Sequence, residues 1–386
     1  YFKAANPAVV MARLLMMSEK GVLLPTHGYR PHSTLIEKNS LLHPVKEITP
    51  LADGALLGAD VNGIGGNHGH VIIGRLPRFL QSKKAYVSVA QAAVTPGVWP
   101  DKVRPLAVTA LLSGQGAQSA GMLNALYQAV PEIKAVMDQG ETIFQERRGT
   151  SLLELMNTGG TPLNQTENTQ PAIFLSTAAI YHALSLKGFE PDFYIGHSVG
   201  EYSALYCAGL IDFSTAMNLV ISRADFMARA SKENPGGIMV VFDGEKAAQE
   251  MISESGVDDI WLVNKNSEKQ TAIAGTTKGI DLFCAHLKDK DIFHKKLALS
   301  AAFHTPLLES AAANMAKKLE SVKFNLKNAH KIISNLTARP YPADEQMIRT
   351  HLARQIVSPV EFVESVKGVH AQGCKRFIEI GPGRPL

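Results

Sequence analysis

A serine between two glycines, in the stretch Gly196-His197-Ser198-Val199-Gly200, is the pattern with the clearest chemical use in this sequence. Apolar and aromatic residues precede it, and a helix-forming stretch follows. At a strand-to-helix turn, G-x-S-x-G is typical of a nucleophile elbow, which exposes the serine hydroxyl to substrate. The same residues also suit an ordinary tight turn with a serine N-cap. The pattern therefore indicates a nucleophile only if other residues assist Ser198.

A serine nucleophile needs a base, and His304 in "LSAAFHTPLL" is the best candidate after Ser198. Ordinary α/β-hydrolases also place an acid between the serine and the histidine in chain order. Four aspartates among those in this interval are Asp212, Asp225, Asp243 and Asp281. None of the four lies at the end of a predicted strand of the larger lobe. A Ser-His dyad oriented by a backbone carbonyl is therefore as compatible with the sequence as a triad.

The elements that must position these residues alternate between strands and helices. From Leu106 a buried-type strand leads into the Gly-rich turn "SGQGAQ", and long amphipathic helix patterns follow. The stretch around Ser198 again predicts strand, turn and helix. This alternation is typical of a parallel sheet covered by helices. We expect an α/β-hydrolase-like lobe with a parallel sheet.

Residues 236–299 show a different order of predicted elements, which is β-α-β-β-α-β. That order is the ferredoxin-like motif. We therefore expect a small lobe at 236–299 that interrupts a large lobe made of 107–235 and 300–386. A cleft between two lobes is a common place for a ligand. Residues 81–106 are rich in proline and small polar residues, and they predict a linker.

Composition excludes several classes of protein. The chain has 386 residues, 45% of them hydrophobic and 19% charged, which is ordinary for a globular protein. Its net charge of +4 is mild, and no basic block indicates nucleic-acid binding. No apolar run is long enough to span a membrane, and the three cysteines are widely spaced. We expect a cytoplasmic protein without disulfides, and a piece of a longer polypeptide.

Several stretches together give a specific resemblance. The region from about 106 to 386 resembles the acyltransferase domain of the malonyl-CoA:acyl-carrier-protein transacylase family, which includes domains of polyketide and polyunsaturated fatty acid synthases. The stretches that carry the resemblance are "SGQGAQSAGM", "TQPAIF", "GHSVGEYSAL", "AAFHTPLL" and "IEIGPG", with "ISNLTA" and "SPVEF" in support. Their order along the chain is that of the family.

The resemblance implies a role for each matched residue. Ser198 would be the nucleophile that carries the acyl group, and His304 the general base and then the general acid. The backbone N–H groups of Gln115 and Val199 would form the oxyanion hole. Gln170 would line the pocket. Gln372 falls where the resemblance implies a residue whose carbonyl orients the histidine.

Two further residues bear on the choice of acyl group. Arg223 lies at the family position of an arginine that holds the free carboxylate of a malonyl-type group, and a guanidinium can bind a carboxylate through two hydrogen bonds. Without the resemblance, a surface ion pair would be the simpler interpretation of Arg223. Phe303, directly before His304, is typical of malonyl-selective members, because its ring would fill the space that an α-methyl group needs. The alternative for Phe303 is simple packing.

The first eighty residues resemble the C-terminal end of a β-ketoacyl synthase domain. "GVLLPTHGYRP", "LLHPVKEITPL" and "VNGIGGNHGHVIIG" carry this second resemblance. His70 matches the last histidine of that family's signature, from which "GGNHGHV" departs by adding His68. The nucleophilic cysteine of such a domain is not among these residues, so we do not expect His70 to support condensation in this chain.

The sequence thus predicts a malonyltransferase that works by a two-step route through an acyl-serine. Malonyl-CoA would be the donor, and the phosphopantetheine of an acyl carrier protein would be the acceptor. No permanently bound cofactor or metal is implied, and the other domains of a parent synthase are expected partners. Two alternatives stay open: an acyl-thioester hydrolase with the same Ser-His pair, and an inactive scaffolding fragment of a synthase.

Overall fold

The chain divides into two compact units, residues 1–85 and 86–386. The computed structural model describes residues 22–23, 49–50, 56–62, 68–74, 95–100, 106–297, 301–383 and 385–386. In the first unit, strands β1 (Val22–Leu23) and β2 (Thr49–Pro50) form a short antiparallel pair. Strands β3 (Leu56–Asn62) and β4 (His68–Gly74) pair in the same sense.

The predicted strand after the glycine turn of the first unit is confirmed as β4, and it contains His70. The helix predicted for residues 7–20 lies outside the described residues. The predicted linker, 81–106, is described only at 95–100 and at Leu106.

A four-stranded parallel sheet forms the centre of the second unit. Its strands are β5 (Val108–Leu112), β6 (Phe193–Gly196), β11 (Ile332–Ile333) and β12 (Arg376–Ile380), in the spatial order β11-β6-β5-β12. Strand β6 is buried along its whole length, as its continuous apolar run predicts. The strands predicted before "SGQGAQ" and before Ser198 are both confirmed.

Helices account for most of the rest of the larger lobe. They are α1 (Asn124–Ala129), α2 (Pro131–Arg148), α3 (Leu152–Thr158), α4 (Gly160–Asn164), α5 (Thr166–Ser185), α6 (Gly200–Cys207), α7 (Phe213–Glu233), α10 (Glu309–Leu319), α11 (Glu345–Gln355) and α12 (Phe362–Ala371). Helix α7 contributes its apolar face to the main hydrophobic core. This burial fixes the position of Arg223, the site residue on the helix.

The small lobe is an antiparallel sheet with two helices. Its strands are β7 (Gly236–Val241), β8 (Ile260–Ser267), β9 (Gln270–Thr276) and β10 (His294–Lys296), in the order β10-β7-β9-β8, and its helices are α8 (Glu245–Ser255) and α9 (Thr277–Asp289). The element order is β-α-β-β-α-β, which confirms the ferredoxin-like prediction. A separate cluster of apolar side chains forms its core.

The small sheet is joined to the larger lobe through strand β8. An irregularity between Leu262 and Asn264 interrupts the pairing of β8 with β9. Beside it, the Val360 N–H donates to the Val263 carbonyl at 2.9 Å, and the Lys265 N–H donates to the Val360 carbonyl at 3.0 Å. The Lys265 ammonium also pairs with Glu245 at 2.7 Å and with Glu361 at 2.6 Å. The two lobes are therefore connected by both main-chain and side-chain contacts.

Residues 95–100 pack against the larger lobe. The Gly97 N–H donates to the Pro340 carbonyl at 2.8 Å. The Trp99 ring lies edge-on to Phe193, with 6.0 Å between ring centroids. His351 contacts the Thr95 carbonyl through Nε2 at 3.1 Å. This segment thus contributes to the packing around the central sheet.

Candidate active site

Ser198 lies in the turn between strand β6 and helix α6, with a backbone φ of 53°. This left-handed conformation is uncommon for a residue other than glycine, and it costs energy that the surroundings must supply. The chain segments approach closely at this turn. A Cβ atom on Gly196 would lie 2.1 Å from the Gly200 carbonyl carbon, and one on Gly200 would lie 2.3 Å from the Leu112 carbonyl oxygen. Both glycines are therefore required by close approach, as in a nucleophile elbow.

Asn335 holds the turn in this conformation from the side of strand β11. Its Oδ1 accepts from the Ser198 N–H at 2.8 Å, and its Nδ2 donates to the Gly196 carbonyl at 2.6 Å. The Asn335 side chain therefore satisfies one main-chain donor and one main-chain acceptor of the strained turn. The residue belongs to the stretch "ISNLTA", but its sequence context alone indicates no such contact.

The predicted nucleophile and base are in direct contact. The Ser198 Oγ lies 2.8 Å from the Nε2 of His304, and His304 is 4% exposed. The other ring nitrogen, Nδ1, lies 2.8 Å from the main-chain carbonyl oxygen of Gln355. Because a carbonyl can only accept, Nδ1 carries the proton and Nε2 is left free to accept from the serine hydroxyl. The structure therefore has a Ser-His dyad oriented by a main-chain carbonyl.

The prediction that Gln372 orients the histidine is wrong. Gln372 ends helix α12 as its C-cap, and the single proton on Nδ1 of His304 is directed to Gln355 instead. Three of the four aspartates considered as a third member have other partners, and the fourth, Asp243, follows strand β7 of the small lobe. Asp212 caps helix α7, Asp225 pairs with Arg148, and Asp281 pairs with Lys296. Gln355 lies three residues before "SPVEF", but a contact through a main-chain carbonyl leaves no signal in the residue type.

Burial sets the protonation state of His304. Loss of solvation, together with the positive charge of Arg223, lowers the pKa of His304 to about 3. The imidazole is thus neutral across the physiological range, which is the form that can take a proton from Ser198.

Arg223 lies beneath the nucleophile and is 1% exposed. Its Nη1 donates to Gln170 Oε1 at 2.5 Å, and its Nη2 donates to Ser198 Oγ at 3.2 Å and to Gln355 Oε1 at 3.0 Å. All three acceptors are uncharged, and Nε has no hydrogen-bond partner among the described residues. Burial lowers the pKa of Arg223 from its ordinary value, but a guanidinium stays charged at neutral pH.

A cavity of about 260 Å³ lies beside the elbow, between the two lobes. It is lined by Gln115 and His197 of the larger lobe and by Asn266 and Gln270 of the small lobe, with Phe362 at its side. The His197 ring is fixed there, because its Nε2 lies 3.0 Å from Asn266 Oδ1. Because His197 directly precedes Ser198 in the chain, the cavity lies next to the turn that carries the nucleophile.

The two predicted oxyanion-hole residues lie in different surroundings. Val199 follows Ser198 and is buried, whereas Gln115 lines the cavity and its side chain donates to Thr166 Oγ1 at 3.3 Å. Within the described residues, the N–H of neither donates to a main-chain carbonyl.

Phe303 is 7% exposed and belongs to the main hydrophobic core. Its neighbour His304 has a φ of 62°, so the chain turns sharply between the two side chains. The structure thus places Phe303 next to the base in the chain, with its side chain in the apolar core.

The described residues contain neither a membrane-spanning helix nor a cluster of metal ligands. No helix in the described part of the chain is long and apolar enough to cross a membrane. Nor do the described histidine, cysteine and acidic side chains gather in a group of three that could hold a metal ion.

Comparison with known proteins agrees with this geometry. Residues 110–384 match the acyl transferase domain family. The malonyl CoA-acyl carrier protein transacylase of Bacillus subtilis is 32% identical over 281 residues, which cover 72% of this chain and 87% of that protein. One polypeptide of the polyunsaturated fatty acid synthase of a Thraustochytrium species is 31% identical over 297 residues, covering 72% of this chain and 10% of that protein. A solved malonyl-transacylase, in complex with its type II PKS acyl-carrier protein, has a TM-score of 0.67 and 31% identity, covering 72% of this chain and 90% of that one.

Proposed function

Since the chain belongs to the acyl transferase domain family, we propose that it moves a malonyl group from malonyl-CoA to the phosphopantetheine thiol of an acyl carrier protein. One observation carries the proposal. A neutral histidine and a buried arginine both contact the same serine oxygen, at 2.8 Å and 3.2 Å. The first contact supports acyl transfer, and the second supports an acyl group that bears a carboxylate.

The reaction has two halves that use the same two side chains. In the first, Ser198 Oγ bonds to the thioester carbonyl carbon while its proton passes to His304 Nε2. The C–S bond then breaks, and the proton moves from Nε2 to the sulfur of CoA. In the second, the phosphopantetheine thiol gives its proton to Nε2 and attacks the acyl-serine, and Ser198 leaves as the hydroxyl. The Gln355 carbonyl stabilises the imidazolium that forms in each half.

The tetrahedral intermediates carry a negative oxygen, which we assign to the main-chain N–H groups of Gln115 and Val199. Neither group donates to a main-chain carbonyl in the described structure, so both can donate to the oxyanion. Such preorganised donors commonly contribute about 3–4 kcal/mol each to the transition state.

Arg223 is the proposed clamp for the malonyl carboxylate. Its Nη2 already lies beside Ser198 Oγ, so an acyl group on that oxygen begins next to the guanidinium. Gln170 and Gln355 hold the guanidinium by two hydrogen bonds without neutralising it. An arriving carboxylate would therefore make the first direct ion pair with this cation, with Nε as a further donor.

Phe303 is the proposed discriminator against an α-methyl group. The proposal rests on its place directly before the base and on the burial of its ring, which would limit the space for an added methyl group if the ring faces the acyl group. One methyl group is worth about 1–3 kcal/mol of discrimination, so methylmalonyl-CoA should react slowly rather than not at all.

The resemblance of the first eighty residues to a condensing domain supports a synthase context. We propose that 107–235 with 300–386, and 236–299, are the two lobes of the acyltransferase. Residues 81–106 would be the linker, and 1–80 would be the end of a condensing domain. The carrier protein and the other domains of the parent synthase are then its partners.

Mass spectrometry of the intact protein after brief incubation with malonyl-, methylmalonyl- or acetyl-CoA tests this function. We expect a dominant malonyl adduct that is absent in Ser198→Ala and that transfers to added holo-acyl carrier protein. Arg223→Ala should lower malonyl loading relative to acetyl loading. Arg229→Ala, an exposed arginine on the same helix, is the matched control.

Three outcomes would contradict the proposal in different ways. Equal loading of acetyl and malonyl groups by the unchanged protein would exclude Arg223 as the clamp. An adduct that disappears in water faster than it transfers to the carrier protein would indicate a hydrolase. No adduct with any of the three donors, and no labelling of Ser198 by a fluorophosphonate, would indicate an inactive scaffold.

A further inference from the structure

Glu201 is a buried carboxylate for which the proposed reaction has no direct use. It lies three residues after the nucleophile, in the first turn of helix α6, and it is fully buried. Burying a charged group is costly unless its oxygens are satisfied by donors. Its position next to the active site therefore calls for a physical reason.

Three donors face the two oxygens of Glu201. Its Oε1 accepts from the Asn335 main-chain N–H at 3.0 Å and from the Tyr341 hydroxyl at 2.6 Å. Its Oε2 accepts from Gln355 Nε2 at 2.7 Å. Loss of solvation raises the pKa of Glu201 to about 7, against these hydrogen bonds and the nearby Arg223 charge, which lower it. At pH 8 the group is therefore mostly a carboxylate.

The contact with Glu201 determines which way the Gln355 amide points. Gln355 Nε2 donates to Glu201 and also to the Ser198 carbonyl at 2.7 Å, while Gln355 Oε1 accepts from Arg223 Nη2 at 3.0 Å. A reversed amide would bring its oxygen against a carboxylate and its NH₂ against a guanidinium. Both contacts would be repulsive, so only one orientation is stable.

This chain of contacts links an anion to a cation through a neutral amide. Among the described residues, Arg223 and Glu201 form no ion pair or hydrogen bond with each other, and the three side-chain acceptors of Arg223 are all neutral oxygens. The carboxylate thus stabilises the buried guanidinium from one residue away. The guanidinium stays available, because an incoming carboxylate has no existing ion pair to displace.

We propose that Glu201 is the positioning residue for Arg223, that it acts through the Gln355 side-chain amide, and that it thereby sets the preference for acyl groups bearing a carboxylate. The inference rests on the proposed function, since it assigns to Arg223 the role of carboxylate clamp. It adds a residue that acts on selectivity without touching the substrate.

Glu201→Gln is the sharpest test, because it keeps the size of the side chain but supplies one acceptor oxygen for three donors. One donor must then face another, and reversal of the Gln355 amide would only move the conflict to Arg223. We expect the ratio of kcat/KM for malonyl-CoA to that for acetyl-CoA, measured as acyl loading at pH 8, to fall at least 10-fold. Glu250→Gln, at an exposed position on helix α8, is the matched control and should keep the ratio of the unchanged protein.

A second variant tests the amide itself. Gln355→Met keeps the length of the side chain and the main-chain carbonyl that orients His304, but it removes the amide. It should lower the same ratio even if Glu201→Gln fails to fold. In an Arg223→Ala background neither substitution should lower the ratio further, because residues that act through one group are not additive.

The possible outcomes separate this inference from the proposed function. Equal losses with malonyl- and acetyl-CoA in both variants would mean that Glu201 supports the dyad or the fold and not Arg223. An unchanged ratio, or a further loss in the Arg223→Ala background, would also overturn the inference. Failure of the unchanged protein to load any acyl group would instead refute the proposed function.

Discussion

The low pKa of His304 makes a measurable prediction about stability and pH. A histidine in an unfolded chain has a pKa near 6.5, whereas burial and the Arg223 charge lower that of His304 to about 3 in the folded protein. Between these two values the unfolded chain binds a proton that the folded protein does not bind. The free energy of unfolding must therefore fall as the pH falls through this window.

The size of the effect follows from the two pKa values. At pH 7 both states are largely neutral at this position, and the contribution is small. At pH 5 the pH lies roughly 1.5 units below the pKa of the unfolded histidine, so proton binding stabilises the unfolded state by about 2 kcal/mol. This amount is a large part of the stability of an ordinary domain, and it should be easy to resolve.

His304→Asn is the suitable perturbation, because asparagine tolerates the left-handed φ of 62° better than most residues and does not titrate. Urea unfolding of both proteins at pH 7 and pH 5 can be followed by the fluorescence of the two tryptophans, Trp99 and Trp261. We expect the unchanged protein to lose about 2 kcal/mol more than the variant between the two pH values.

Other titrating groups cancel in this comparison. Glu201, whose pKa is raised to about 7, acts in the opposite direction, since its folded form binds the proton more readily as the pH falls. It is present in both proteins, as is His351, whose pKa burial lowers to about 4. Equal losses of stability in the two proteins would refute the conclusion that His304 is held neutral by burial.

Three further predictions concern the elements that hold the site. Gly196→Ala should lower the free energy of unfolding in the urea titration by about 3 kcal/mol or more, because its Cβ would lie 2.1 Å from the Gly200 carbonyl carbon. The control is Gly188→Ala, at a position with a φ of 83° and open space, where the free energy of unfolding should fall by only about 1–2 kcal/mol. Trp99→Ala should lower the unfolding free energy by about 2 kcal/mol through lost contact with Phe193, and a change below about 0.5 kcal/mol in thermal unfolding would show that residues 95–100 do not contribute to the fold. Lys265→Met should lower the free energy of unfolding by about 1–2 kcal/mol, because it leaves the Glu361 carboxylate without its ammonium partner. The double variant Lys265→Met/Glu361→Gln should recover most of that loss. An unrecovered loss would show that the ion pair itself contributes the stability.

Much of the site could be predicted because its signals are local. Ser198 lies in a five-residue pattern whose glycines have a steric purpose, and the structure shows the close approaches that require them. The small lobe was predictable for a similar reason, since the alternation of short apolar strands and amphipathic helices fixes its element order. His304 followed from its place at the junction between the lobes.

The parts that could not be predicted depend on main-chain atoms and distant neighbours. The group that orients His304 is the carbonyl of Gln355, and every residue type has a carbonyl, so the sequence carries no signal for it. The Gln372 prediction failed for this reason. Asn335 and Glu201 are similar cases, because their roles come from contacts with residues more than a hundred positions away.

The connection between the lobes at strand β8 has a consequence for how this protein could change its substrate. A hinge needs a joint with few contacts. Here two main-chain hydrogen bonds reach Val360, and the Lys265 ammonium pairs with Glu245 of the small lobe and Glu361 of the larger lobe. Opening or closing the cleft at this joint would strain these contacts together, so we expect a cleft of nearly constant width. A cleft of constant width would admit a different acyl group only if the side chains that line it were changed. Exchange of the small lobe between relatives should succeed only if the irregularity at Leu262 and Asn264 is transferred with it.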